Sequence, residues 1–197
     1  MIELEDQLFS IYDDIASGQA LTFNQLTPLL VDASTLIVQC LLSEGRIIAC
    51  GTNDSAALAQ IFCANLFNKF EQERPSLPAF TLSTDGVSIT SVAESDHYND
   101  IFSKQLYMHG QANDIFFVIS PDGKSAPLLQ AVQAAHDQSM IVIALTAQDG
   151  GELCRILSHE DIEIRVPIEH PKRATETHLV LLNCLCYLIE QQLFYHA

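Results

Sequence analysis

Five short apolar runs, separated by stretches of helical periodicity, constrain this chain more than any other feature. They occupy residues 46–51, 79–83, 114–120, 140–147 and 162–167. Each is continuous rather than alternating and rich in Ile, Val and Phe, the pattern of a strand covered on both faces. Between them, the spacing of apolar residues predicts helices over 55–70, 87–94, 97–109, 124–137 and 150–157. Such alternation folds as an α/β protein, a parallel sheet with helices on both faces joined by right-handed crossovers. Ligands of that architecture bind beyond the carboxyl ends of the strands, where strand order reverses.

The flanks are helical. Leu4, Leu8, Ile11 and Ile15 recur at helical spacing opposite an acidic face, and Thr27-Pro28 reads as the start of a second helix reaching Ser43. An N-terminal helical pair is therefore expected. The last helix, over 173–193, carries LVLLNCLCYLI, in which Asn183 is the single polar residue. A domain this small does not cover such a helix on every side, so an oligomer with this helix at its centre is expected. The 197 residues are read as one domain: N-terminal helices over 1–44, a parallel α/β core over 45–170 and a C-terminal helix over 171–197.

Charge and cysteine usage exclude several function classes. With 25 acidic and 9 basic side chains, a formal charge of −16 disfavours direct binding to nucleic acid. The six cysteines lie in apolar runs without a Cys-x-x-Cys pair, so neither a zinc ribbon nor a disulfide framework is expected. The acidic N-terminus lacks a secretory pattern, and no uninterrupted apolar run is long enough for a bilayer, which makes a cytoplasmic, membrane-free protein the expectation.

Two strand-to-helix turns are candidates for anion binding: Gly51-Thr52-Asn53-Asp54-Ser55 and Ser120-Pro121-Asp122-Gly123-Lys124-Ser125. A helix that begins just after a parallel strand points free backbone N–H groups and its positive dipole end over the sheet edge. Ser55, Ser120 and Ser125 add hydroxyls suited to a phosphate, although each also reads as an ordinary helix cap. Asp54 and Asp122 work against an anion there, and Lys124 offsets part of that repulsion.

These motifs, with Arg74-Pro75…Pro78-Ala79, Asn99-Asp100-Ile101-Phe102, Leu145-Thr146…Asp149-Gly150-Gly151 and the segment Ile162-Glu163-Ile164-Arg165-Val166-Pro167, resemble the sugar isomerase (SIS) domain family, in its phosphoheptose isomerase group. The resemblance implies a three-layer fold whose five-stranded parallel sheet has order 2-1-3-4-5, and a homotetramer. It also implies a metal-binding and acid/base set at four positions, which here hold Ile61, Asn65, Thr175 and Asn183. None supplies the imidazole or carboxylate that Zn²⁺ prefers or a base poised near neutral pH. His178 beside Glu176 does not replace them, since adjacent helical residues diverge by about 100°. His97, His109, His136, His159, His170 and His196 are scattered, and are read as surface or satisfied histidines.

Finer clusters, around Phe70-Glu71…Glu73-Arg74-Pro75, Gln148–Leu153, Asn183–Cys186 and Leu193-Phe194…His196, resemble a non-enzymatic branch of the family that associates with the replication initiator DnaA. That resemblance implies a scaffold without catalytic residues, metal or cofactor, in which Leu193 and Phe194 contact the N-terminal domain of DnaA and promote initiation of chromosome replication. Ser55, Ser120 and Ser125 would then form a vestigial phosphate site. The alternative is a sugar-phosphate isomerase or a sugar-phosphate-binding regulator.

Overall fold

The computed structural model describes residues 3–82, 84–95 and 97–195; Ser83 and His196 lie outside this set. The elements run in the order α1 (Leu4–Leu42), β1 (Ile47–Gly51), α2 (Asp54–Phe67), β2 (Ala79–Thr81), α3 (Gly86–Ser95), a 3₁₀ turn (Tyr98–Asp100), α4 (Ser103–His109), β3 (Ile115–Ile119), α5 (Ala126–Asp137), β4 (Ile141–Ala147), α6 (Leu153–Ile156), β5 (Ile162–Val166) and α7 (Pro171–Phe194). All strand pairings are parallel, and the sheet order is β2-β1-β3-β4-β5.

The central strands are buried along their whole length, as continuous apolar runs require. Alternate side chains therefore feed two separate cores. Ile47, Ala49, Ile115, Phe117 and Ile119 pack beneath α1, α2 and α7, with the Phe62 and Phe117 rings 4.7 Å apart. Ile48, Cys50, Phe116 and Val118 pack beneath α4 and α5. The register sets Gly51 opposite Ile119, so β1 and β3 end level with one another. That shared edge is the point where strand order reverses.

The expected N-terminal pair of helices is instead one continuous 39-residue helix. Pro28 removes the N–H that would bond the Asn24 carbonyl, but helix α1 carries on past it with Thr27 Oγ1 donating to the Phe23 carbonyl at 2.6 Å. Helix α1 is long and apolar enough to cross a bilayer by length and composition, which the run-length reading did not anticipate. Its second half is nonetheless a core element: Leu30, Ala33, Ile37 and Val38 are buried. The first half leaves Leu4, Leu8, Phe9 and Tyr12 exposed.

All six cysteines are unpaired, and Cys40, Cys50, Cys63 and Cys186 are buried. Burial pushes their thiols up, Cys40 to about 11 and both Cys63 and Cys186 to about 12, so they behave as small apolar side chains.

Candidate active site

The β1–α2 turn fits only if residue 51 lacks a side chain, because a Cβ on Gly51 would lie 2.5 Å from the backbone of Ser55. The chain then passes through Asn53 in the left-handed region (φ 52°) and enters α2 at Asp54. This brings the start of α2 back over the strand end and buries Ser55. The turn after β3 is clamped from below. The backbone N–H groups of Glu152 and Leu153 both donate to the Gly123 carbonyl at 3.0 Å, and a Cβ on Gly123 (φ 59°) would sit 1.9 Å from the Gly150 carbonyl oxygen. The Gly150-Gly151 turn after β4 is thus a support for the Ser120–Ser125 turn.

The two turns and the first turn of α7 enclose a cleft of about 640 Å³. Thr52, Asp54 and Ser55 come from the first turn, Ser120, Asp122 and Ser125 from the second, and Pro171, Lys172 and Thr175 from α7. Thr84, Ile89, Tyr98, Ile101 and Phe102 form the facing wall. Three helices of 12 residues or more, α2, α5 and α7, begin at this cleft. Their free N–H groups and dipoles favour an anion between them.

Ser55 and Ser120 are each 3 % exposed, and neither hydroxyl bonds another group among the described residues. A hydroxyl at the cleft wall without a protein partner is available for ligand oxygen. Ser125, half-buried at the start of α5, joins them. The three serines singled out in the sequence therefore meet at one site. Two carboxylates meet there too. Asp54 forms an ion pair with Lys172 across the cleft mouth, while Asp122 Oδ1 accepts the Lys124 backbone N–H at 3.2 Å.

Leu193 and Phe194 are elsewhere. Leu193 packs against the core of α1, α2 and α7, and the Phe194 ring lies 5.9 Å from the Arg74 guanidinium carbon. Their surroundings depend on a buried ion pair that sequence reading missed. Arg74 Nε donates to Glu190 Oε1 at 2.7 Å, with both side chains about 1 % exposed. The Glu190 carboxylate also accepts the N–H groups of Phe70, Glu71 and Gln72. Burial works to raise its pKa, but these N–H donors and Arg74 prevail and hold it below the usual glutamate range. The only advance sign was Arg74 followed by proline in a charged loop, which carries no mark of burial.

His178 is fully buried, with Nε2 2.9 Å from the Thr146 carbonyl, so the proton is on Nε2; Nδ1 has no partner among the described residues. Burial lowers its pKa to about 4, and the Thr146 carbonyl offsets only part of that. It packs under the sheet edge, not in the cleft. The four positions implied for metal and acid/base chemistry do not converge either. Thr175 lines the cleft, Asn183 lines a second, mainly apolar cavity between α1 and α7, Ile61 is exposed on α2, and Asn65 is half-buried on α2 with its backbone carbonyl accepting Arg74 Nη2. Among the described residues no three His, Cys, Asp or Glu side chains gather as a metal site would need. The residues present do not fit zinc.

Residues 12–147 match the model of the SIS domain family. The chain is 51 % identical, over 86 % of each sequence, to a phosphoheptose isomerase of Chromohalobacter salexigens. It is 47 % identical to one of Coxiella burnetii over 83 % of this chain and 82 % of that one. The chain belongs to the SIS domain family, in its phosphoheptose isomerase group. Solved phosphoheptose isomerases from Francisella tularensis and Neisseria gonorrhoeae superpose on this SIS domain with TM-scores of 0.92 and 0.90, at 37 % and 33 % identity. Each match covers 96 % of this chain and 100 % of the other.

These relatives correct the finer reading of the sequence. The expected non-catalytic scaffold for DnaA, with its role in replication initiation, is overturned by matches at 42–51 % identity that carry the name of an enzyme. The inference from Ile61, Asn65, Thr175 and Asn183 to a chain without catalysis fails with it. Four substitutions remove one set of side chains from a site; they do not remove the cleft, its hydroxyls or its carboxylates.

Proposed function

We propose that this SIS domain is a sugar-phosphate isomerase that interconverts a ketoheptose 7-phosphate and the corresponding aldoheptose phosphate. The observation that carries this reading is the convergence of three helix N-termini and the free hydroxyls of Ser55 and Ser120 on one cleft at the strand-order reversal. The phosphate lies over the ends of β1 and β3, and the sugar carbons extend along the cleft. Isomerisation removes a proton from the hydroxyl-bearing carbon next to the carbonyl and returns one to the former carbonyl carbon. The hydroxyl proton moves to the other oxygen, so atoms and charge balance.

Asp122 is the carboxylate to which we assign the carbon-bound proton. One of its oxygens accepts the Lys124 N–H, which fixes its orientation, and the other remains available to the substrate. The three helix dipoles favour the negative charge that develops as the proton leaves. Subunit assembly is part of the same proposal: Leu4, Leu8, Phe9 and Tyr12 on α1 form an apolar stripe that a homotetramer would cover. A cytoplasmic location goes with it.

The test is turnover of sedoheptulose 7-phosphate by the unaltered protein and by Asp122→Asn. We expect conversion by the first and a kcat about 100-fold lower for the second, with substrate binding retained. Binding without any conversion by the unaltered protein would overturn the isomerase reading.

A further inference from the structure

We infer that Lys172 is a shared counter-ion, paired with Asp54 in this structure and transferred to the phosphate of a bound sugar phosphate, so that the Asp54–Lys172 pair sets the affinity of the site for dianionic ligands. The inference rests on the sugar-phosphate reading of the cleft.

Asp54 is the first residue of α2 and Lys172 the second of α7, and they meet across the cleft between two helix N-termini. A carboxylate at that place is favoured by the α2 dipole. A lysine in the first turn of α7 is opposed by its own helix dipole, so α7 gains nothing from it there. Its partner is the anion across the opening.

Among the described residues, the charges lining the cleft are two carboxylates, Asp54 and Asp122, and one ammonium, Lys172. A phosphate dianion entering beside Ser55 would meet Asp54 as a like charge. At about 5 Å and near the dielectric of water, as suits side chains 54 % and 68 % exposed, that repulsion weakens binding by about tenfold. Lys172 sits on a flexible stem within reach of both anions. Moving it to the phosphate replaces one ion pair with another of higher charge and leaves Asp54 to water. The pair is broken by ligands that carry a phosphate and untouched by those that do not. Discrimination between sugar phosphates and free sugars is thereby built into the mouth of the cleft.

The test is calorimetric titration of the full chain with sedoheptulose 7-phosphate and with sedoheptulose, using Lys172→Met, Asp54→Asn and the double variant. Both side chains are exposed, so the folded state survives either change, which a thermal melt checks. We expect Asp54→Asn to tighten binding of the phosphate ester about tenfold and Lys172→Met to weaken it at least tenfold. In the Asp54→Asn background the lysine substitution should weaken binding by at least as large a factor, because Lys172 then reaches the ligand without first giving up Asp54. If Lys172→Met has no effect in that background, the pair is a surface ion pair and the inference fails while the reading of the cleft stands. If the unaltered chain binds no phosphate ester, the reading of the cleft fails and carries this inference with it.

Discussion

Three side chains that the sequence hid or left ambiguous govern how this protein responds to mutation and pH. Glu190 and Arg74 form a buried pair that ties the loop after α2 to the end of α7, and removing either partner leaves the other charged and dry. Glu190→Ala is expected to cost about 3–5 kcal/mol of stability, measured by denaturant unfolding. The stabilising effect of Glu190 is present above the ordinary glutamate range and is lost only as pH falls through its lowered folded value. His178 acts over a higher window. Its pKa of 6.5 in the unfolded chain drops to about 4 in the fold, so between these values the unfolded chain binds a proton that the folded chain rejects. Stability is therefore complete above pH 6.5 and declines by about 3 kcal/mol as pH falls toward 4. His178→Gln should flatten that part of the profile, whatever it does to stability at neutral pH. Neither residue was legible in the sequence, since a lone Glu or His on an apolar helix does not announce its partners.

At the scale of elements, sequence and structure agree where periodicity speaks and part where only tertiary contact decides. The five apolar runs became the five strands in the expected order, and the helix between β3 and β4 lies within two residues of its expected bounds. The continuous α1 was read as two helices because Thr27-Pro28 imitates a helix start. Packing of Leu30, Ala33 and Ile37 against the core outweighs one missing hydrogen bond. The Gly150-Gly151 turn was visible as a motif, but its role under the Ser120–Ser125 turn was not, since it depends on two loops distant in sequence. Gly123→Ala tests that support. A Cβ there meets a backbone carbonyl and a strained φ together, so a loss of about 2–3 kcal/mol and a weakened phosphate site are expected, read by thermal melting and ligand titration.

At the scale of the molecule, the candidate site was half legible. Ser55, Ser120 and Ser125 were named from their turns, and the structure brings them to one cleft. Lys172 was missed because nothing local links position 172 to position 54. Leu193 and Phe194 were read as a partner anchor; in the structure Leu193 packs against the core, and Phe194 lies beside Arg74 with its ring partly exposed. The wider error was to treat four substituted positions as the whole of the chemistry, when relatives sharing up to 51 % identity are named as isomerases. The central claim is that this cleft moves a proton between neighbouring carbons of a sugar phosphate. Proton NMR of sedoheptulose 7-phosphate incubated with the protein in D₂O tests it most directly. The account predicts deuterium at the former carbonyl carbon of the aldose product, with its appearance slowed about 100-fold by Asp122→Asn. Bound but unlabelled and unconverted substrate would contradict it.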